Sequence, residues 1–138
     1  MNEQVEPAKF TPLQRIDTDG GEVLKALRSD EEGFAGVAEA YFSRVDPGSI
    51  RAWKLHTEMT VNVVVPSGHA HFVIATDAGF ETHDLGPGHE YGRLTIQPGN
   101  WFGFKGGDEG ALILNLANIL HRPDEGQNRP LDAFDYRW

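Results

Sequence analysis

The chain has no cysteine among its 138 residues, which excludes a disulfide framework, a thiol nucleophile and a zinc knuckle. Basic residues are also scarce. Twelve Lys and Arg stand against 21 Asp and Glu, a formal charge of −9, whereas a nucleic-acid surface needs clustered cations to neutralise phosphates. No apolar run approaches the ~20 residues of a membrane span, and Met1-Asn2-Glu3-Gln4-Val5-Glu6 lacks the basic-then-apolar order of a secretory leader. These gaps predict a cytoplasmic protein with neither a nucleic-acid nor a membrane partner. Internal repeats and low-complexity segments are missing as well. The length fits one domain over 1–138, with 1–12 as an N-terminal arm and 123–138 as a C-terminal tail.

Helical periodicity is sparse too. After two glycines, Val23, Leu24 and Leu27 recur at i, i+1 and i+4, which predicts one short N-terminal helix over 22–27, next to a short edge strand over 13–16. What is abundant is the turn signal. From Phe34 onward, aromatic and β-branched runs are broken by Asp46-Pro47-Gly48, Pro66-Ser67-Gly68, Asp77-Ala78-Gly79, Gly86-Pro87-Gly88, Pro98-Gly99 and Gly106-Gly107-Asp108. Such spacing with little helix between describes an all-β sandwich or barrel. The clearest strand is 59–65, with Met59, Val61, Val63 and Val65 on one face and Thr60, Asn62 and Val64 on the other. It reads as one arm of a hairpin that turns at Pro66-Ser67-Gly68 and returns from His69, and 111–116 reads as another buried strand.

Several segments carry a family likeness: Glu39-Ala40-Tyr41-Phe42-Ser43, Ile50-Arg51-Ala52-Trp53-Lys54-Leu55-His56, Val64-Val65-Pro66-Ser67-Gly68, Tyr91 to Trp101, and Leu112-Ile113-Leu114-Asn115-Leu116. Over residues 34 to 136 the chain resembles the dTDP-4-dehydrorhamnose 3,5-epimerases and their relatives, small cupins that act on nucleotide-linked 4-keto sugars. The resemblance implies a cupin-type double-stranded β-helix, a jelly-roll barrel. It also exposes departures. Where a metal-binding cupin has His-x-His, an acidic ligand and a final histidine, this chain has Lys54-x-His56, Val61 and Phe102. One imidazole of four donors remains, and a divalent ion needs three or four converging N, O or S ligands. The expectation is therefore no metal and no cofactor. The family's base histidine matches Lys54 here, and the nearest match to its acid tyrosine is Asn115. The related 3,4-ketoisomerases resemble this strand through His-x-His, of which His56 is kept.

Removing a proton beside a ketone needs a positioned base and a donor for the enolate oxygen. Lys54 and His56 are two apart on one strand, so both face the barrel interior. Lys54 would act as a base if burial and a neighbouring cation strip its proton, or otherwise as a cationic clamp, with His56 as the other proton carrier. Tyr91 is a reserve acid. Arg51 and Arg93 are the candidate phosphate partners, because a guanidinium bonds phosphate through paired N–H groups. Asn62 and Asn115 carry amides that could orient a ligand. Trp101 could stack on a base or ring, although Trp101 and Phe102 are adjacent and only one of them can face inward. Plainer readings stand beside these. Lys54 could pair with Glu39 or Glu58, His56 could be a hydrogen-bonded interior histidine, Tyr91 a packing residue, and the two arginines surface ion-pair partners. His69 and His71 share a face but lack a third ligand at matching spacing.

The reading that collects these features is a metal-independent isomerase or epimerase acting on a carbonyl compound, a small-molecule substrate such as a nucleotide-linked 4-keto-6-deoxy sugar. A cofactor-free cyclase or dehydratase is the second reading and a non-catalytic binding cupin the third. A cavity plugged by Trp101, Phe102 and Phe104 would favour the third. An open sheet edge is satisfied by another chain, so a two-fold homodimer is expected, with the arm ahead of Gln14 as its pairing element.

Overall fold

The computed structural model describes residues 6–138. Its strands run in the order β1 (Ala8–Pro12), β2 (Arg15–Thr18), β3 (Gly21–Leu24), β4 (Glu39–Val45), β5 (Ile50–His56), β6 (Val61–Thr76), β7 (Gly79–Leu85), β8 (Gly92–Ile96), β9 (Trp101–Ala117) and β10 (Gly126–Asn128). The all-β expectation holds, but the short helix does not. Its residues form β3, paired with β2 around Asp19-Gly20, where Gly20 has φ +80°. Asp-Gly is a strong hairpin turn pair because its glycine takes positive φ without a steric cost, and this local turn outweighs a weak three-residue helical pattern. Among the described residues the only helical turn is a 3-10 turn at Leu131–Ala133, and no helix is long and apolar enough to cross a membrane.

β6 and β9 organise everything else. They are antiparallel neighbours, and each changes partner halfway along its length. The first half of β6 lies between β8 and the end of β9, while its second half lies between β7 and the start of β9. β9 in turn pairs with β5 near its start and β4 near its end. Two layers follow, β4-β9-β6-β8-β1 and β10-β5-β9-β6-β7, joined where the long strands bend. This corrects the expected hairpin at Pro66-Ser67-Gly68. Residues 61–76 form one bent strand, with register shifts between Val64 and Ser67 and between Gly68 and Ala70. Gly68 (φ +82°) and Gly110 (φ +70°) face each other at the bend, and a Cβ on Gly68 would collide with the Gly110 carbonyl oxygen. Two strands can fold over together only if both are bare at that point.

The core is built where the layers meet, from Val61, Val63 and Val65 of β6, Phe72 and Ile74 beyond its bend, Leu94 and Ile96 of β8, and Ile113 of β9. The other face of the β6-β8 layer is covered by the chain between β3 and β4. Arg93, fully buried, donates from Nε to Asn62 Oδ1 at 3.1 Å and from Nη1 to the Ala26 carbonyl at 2.8 Å, and pairs with Glu31 at 3.3 Å. Tyr91 Oη donates to the Lys25 carbonyl at 2.7 Å. Of the expected loose arm, residues 1–5 lie outside the described residues. Ala8–Pro12 is ordered as β1 against β8 of its own chain and stands at the end of that layer.

Candidate active site

One end of the space between the layers is an open cavity of about 410 Å³. Arg51, Lys54 and His56 of β5, Tyr41 and Ser43 of β4, and Asn115 of β9 supply its polar lining. Val61, Val63, Phe72, Phe102 and Phe104 supply the apolar wall, and Asn128 of β10 closes one side. Strict alternation would send Arg51 and Lys54 to opposite faces. A register shift between Ala52 and Lys54 realigns the strand so that both line the cavity. Phe102 and Phe104 form a wall without filling the space. The plugged arrangement that would have favoured a binding-only reading is absent.

His56 is 8% exposed, and its Nδ1 lies 2.7 Å from Glu125 Oε1. Glu125, 1% exposed, also accepts the backbone N–H groups of Glu58 (3.1 Å) and Met59 (3.0 Å) at Oε2. Burial pushes this carboxyl upward, but the bonds from His56 and the Met59 N–H outweigh it and hold the group below its ordinary range. An ionised carboxylate can only accept, so Nδ1 of His56 donates to it, and Nε2 is the ring nitrogen that the neutral imidazole leaves as an acceptor. β10 makes this possible, because its pairing with β5 brings Gly126 opposite His56 and Asn128 opposite Lys54.

Among the described residues no carboxylate lines the cavity, although the chain has 21 acidic residues. The expected ion pair of Lys54 with Glu39 or Glu58 does not form, since Glu58 pairs with Arg122. Among the described residues neither Lys54 nor Arg51 makes an ion pair. Arg51 instead sits 5.7 Å over the Phe104 ring. Tyr41 pairs in register with Asn115. Burial, then the Glu39 charge, raises its phenol above the ordinary range, with Arg51 opposing. Asn115 donates to Ser43 Oγ at 3.0 Å. A phenol thus stands across the ladder from position 115.

Four of the eight candidate site residues therefore meet: Arg51, Lys54, His56 and Asn115. The other four lie elsewhere. Tyr91 and Arg93 anchor the covering segment, Asn62 is tied to Arg93, Thr95 and the Gly33 carbonyl, and Trp101 packs under the Arg129 guanidinium at 4.5 Å. Phe102, not Trp101, faces the cavity. Glu125 and Tyr41 were missed by sequence reasoning. Only the position of Tyr41 within Glu39-Ala40-Tyr41-Phe42-Ser43 offered a signal. His69 Nε2 and His71 Nδ1 both bond Asp84 Oδ1, at 2.7 and 2.9 Å, on the outer side of the sheet.

No protein-family model matches the chain. It is similar to the probable low-salt glycan biosynthesis epimerase Agl13 of Haloferax volcanii, 32% identical over 120 residues that cover 76% of this chain and 75% of that one. The dTDP sugar isomerase structure from Desulfovibrio desulfuricans G20 is 37% identical with a TM-score of 0.86, covering 94% of this chain and 87% of its own. The WlaRB TDP-quinovose 3,4-ketoisomerase of Campylobacter jejuni shares the fold at 19% identity, with a TM-score of 0.76 over 91% and 95% of the two chains. The jelly roll, its inward β5 strand and these relatives together place the chain in the dTDP-4-dehydrorhamnose 3,5-epimerase-related cupins, a family of sugar-nucleotide isomerases and epimerases.

Proposed function

We propose that this protein is a metal-independent isomerase or epimerase that enolises a nucleotide-linked 4-keto-6-deoxy sugar. The observation that carries the reading is the His56–Glu125 pair at 2.7 Å, with the imidazole opening onto a cavity in which, among the described residues, no carboxylate stands and neither Arg51 nor Lys54 makes an ion pair. A carboxylate behind the imidazole fixes the tautomer that can accept a carbon-bound proton. Lys54 stands two residues away and faces the same space, so it is the group placed to meet the substrate ketone. Tyr41, from the neighbouring layer edge, is the second proton carrier. Arg51 is suited to a diphosphate, which a cavity without carboxylates does not repel. The metal-free reading rests on the donor set: an amine, an isopropyl group and a phenyl ring at positions 54, 61 and 102 leave His56 without partner ligands.

The substrate class follows the relatives, one of which is a ketoisomerase complex with TDP-4-keto-6-deoxyglucose. A two-fold homodimer belongs to the same proposal. Among the described residues β4 pairs with β9 alone, and Phe42 on it is 65% exposed, so β4 joins β1 of the N-terminal arm as an edge open to a second copy. The test of the chemistry is solvent exchange. Wild-type protein incubated with TDP-4-keto-6-deoxyglucose in deuterated water should place deuterium beside the ketone, read by NMR, and His56→Asn should slow this by about 10²-fold or more. Absence of exchange in the wild type would overturn enolisation.

A further inference from the structure

We propose that Lys54 acts covalently, condensing with the substrate ketone to an iminium that serves as the electron sink for proton removal by His56. The inference rests on the enolisation reading and goes beyond it in assigning a bond. A lysine paired with a carboxylate is held as an ammonium and cannot attack carbon. Lys54 Nζ, among the described residues, has neither a hydrogen bond nor an ion pair. The nearby acids are committed elsewhere, Glu125 to His56 and two backbone N–H groups, and Glu58 to Arg122. Its register partner on β10 is Asn128, a neutral amide. Arg51 lines the same cavity, and the facing wall is Phe72, Phe102 and Phe104. Amine nucleophiles work in this setting, unpaired, beside a fixed cation and against apolar walls.

The step balances with groups already present. The ammonium passes one proton to His56 Nε2, its lone pair attacks the ketone carbon, and a second N–H proton moves to the carbonyl oxygen to give a carbinolamine. His56 then returns its proton to the hydroxyl, water leaves as the C=N⁺ bond forms, and the imidazole is again neutral. His56 Nε2 removes the neighbouring carbon-bound proton, and that electron pair becomes the C=C bond of a neutral enamine. Reprotonation at carbon, from His56 or from Tyr41 across the cavity, restores the iminium. Water then releases the ketone and returns the amine. No oxidant, reductant or further reactant is consumed.

Borohydride trapping decides the matter. Wild-type protein is incubated with TDP-4-keto-6-deoxyglucose and sodium cyanoborohydride, and its intact mass and peptide map are compared with those of Lys54→Arg. The same mixtures in deuterated water are followed by NMR. The expected result is a reduced adduct of one substrate on the peptide carrying Lys54, absent in Lys54→Arg, with exchange in that variant down by about 10³-fold or more. Arginine keeps the charge but cannot form an imine, so a clamp would survive the change within about tenfold. Exchange in the wild type without an adduct, together with an active Lys54→Arg, would overturn the covalent step and leave enolisation standing. Loss of exchange in the wild type would remove both. Thermal melting of Lys54→Arg matching the wild type shows that the variant is folded.

Discussion

The sharpest separation of catalysis from stability comes from Glu125→Gln. In the wild type the carboxylate accepts from His56 Nδ1 at one oxygen and from the N–H groups of Glu58 and Met59 at the other. Glutamine can place its carbonyl oxygen on the two backbone donors and turn its NH₂ toward His56. Every buried group then keeps a partner, provided the imidazole moves its proton from Nδ1 to Nε2. Three charge-assisted bonds become neutral ones, each weaker by about 1 kcal/mol, so the unfolding free energy should fall by roughly 2 to 3 kcal/mol. The chemistry should fall much further. The nitrogen left to face the cavity now carries a proton and cannot take another, and general-base catalysis is worth about 10² to 10⁴-fold. Glu125→Ala behaves differently, because it strands three donors at about 1 to 3 kcal/mol each and should unfold readily. Urea denaturation followed by circular dichroism gives the stability change, and deuterium incorporation into a TDP-4-keto sugar gives the rate. The pH dependence supplies a further check. The folded carboxyl titrates below its ordinary range, so its contribution is complete above the unfolded pKa of about 4.3 and is lost as pH falls through the folded value. The glutamine variant should lack that acid-sensitive component. Exchange within about threefold of the wild type in a folded Glu125→Gln would show that His56 does not act through Nε2.

Three further substitutions divide the remaining roles. Arg51→Ala should raise KM for a TDP-sugar by about 10- to 100-fold with kcat little changed, since a phosphate hydrogen bond to a guanidinium is worth about 1.5 to 3 kcal/mol; steady-state kinetics showing an unchanged KM would take Arg51 out of the substrate's reach. Tyr41→Phe should lower product formation by about 10²-fold while exchange on the His56 face persists; equal loss of both, or of neither, would argue against a second proton carrier on β4. Arg93→Met should cost about 3 kcal/mol, because it removes a fully buried cation that bonds Asn62, the Ala26 carbonyl and Glu31, yet leave kcat/KM of the folded fraction intact. A raised KM with normal melting would restore it as a phosphate ligand.

The contrast between Arg51 and Arg93 shows what a sequence can and cannot yield about this site. Both are arginines on strands of the same barrel, and a strand's alternation assigns a face only relative to its neighbours. For Asn62 the alternation already held the answer, since Val61 and Val63 on either side take the cavity and send the amide outward. The sequence reading took Asn62 as an amide that could orient a ligand. In the fold outward means the underside of residues 25–33, so a polar side chain there is buried to anchor a loop. For Arg51 the alternation failed because a register shift between Ala52 and Lys54 intervenes, and a bulge leaves no mark in composition. The bend at Gly68 was legible as a glycine but read as a chain reversal, because a turn and a fold-over of two paired strands ask for the same residue.

Glu125 lies at the far limit of legibility. It stands 69 residues from His56 in a polar stretch with nothing to distinguish it from the acids around it. What selects it is β10, three residues long, whose ladder with β5 delivers a carboxylate to the back of the imidazole while Asn128 closes the cavity beside Lys54. A histidine that keeps its place on an inward strand can be found by pattern. Whether it is a base or a filler depends on the group behind it, and long-range pairing supplies that group.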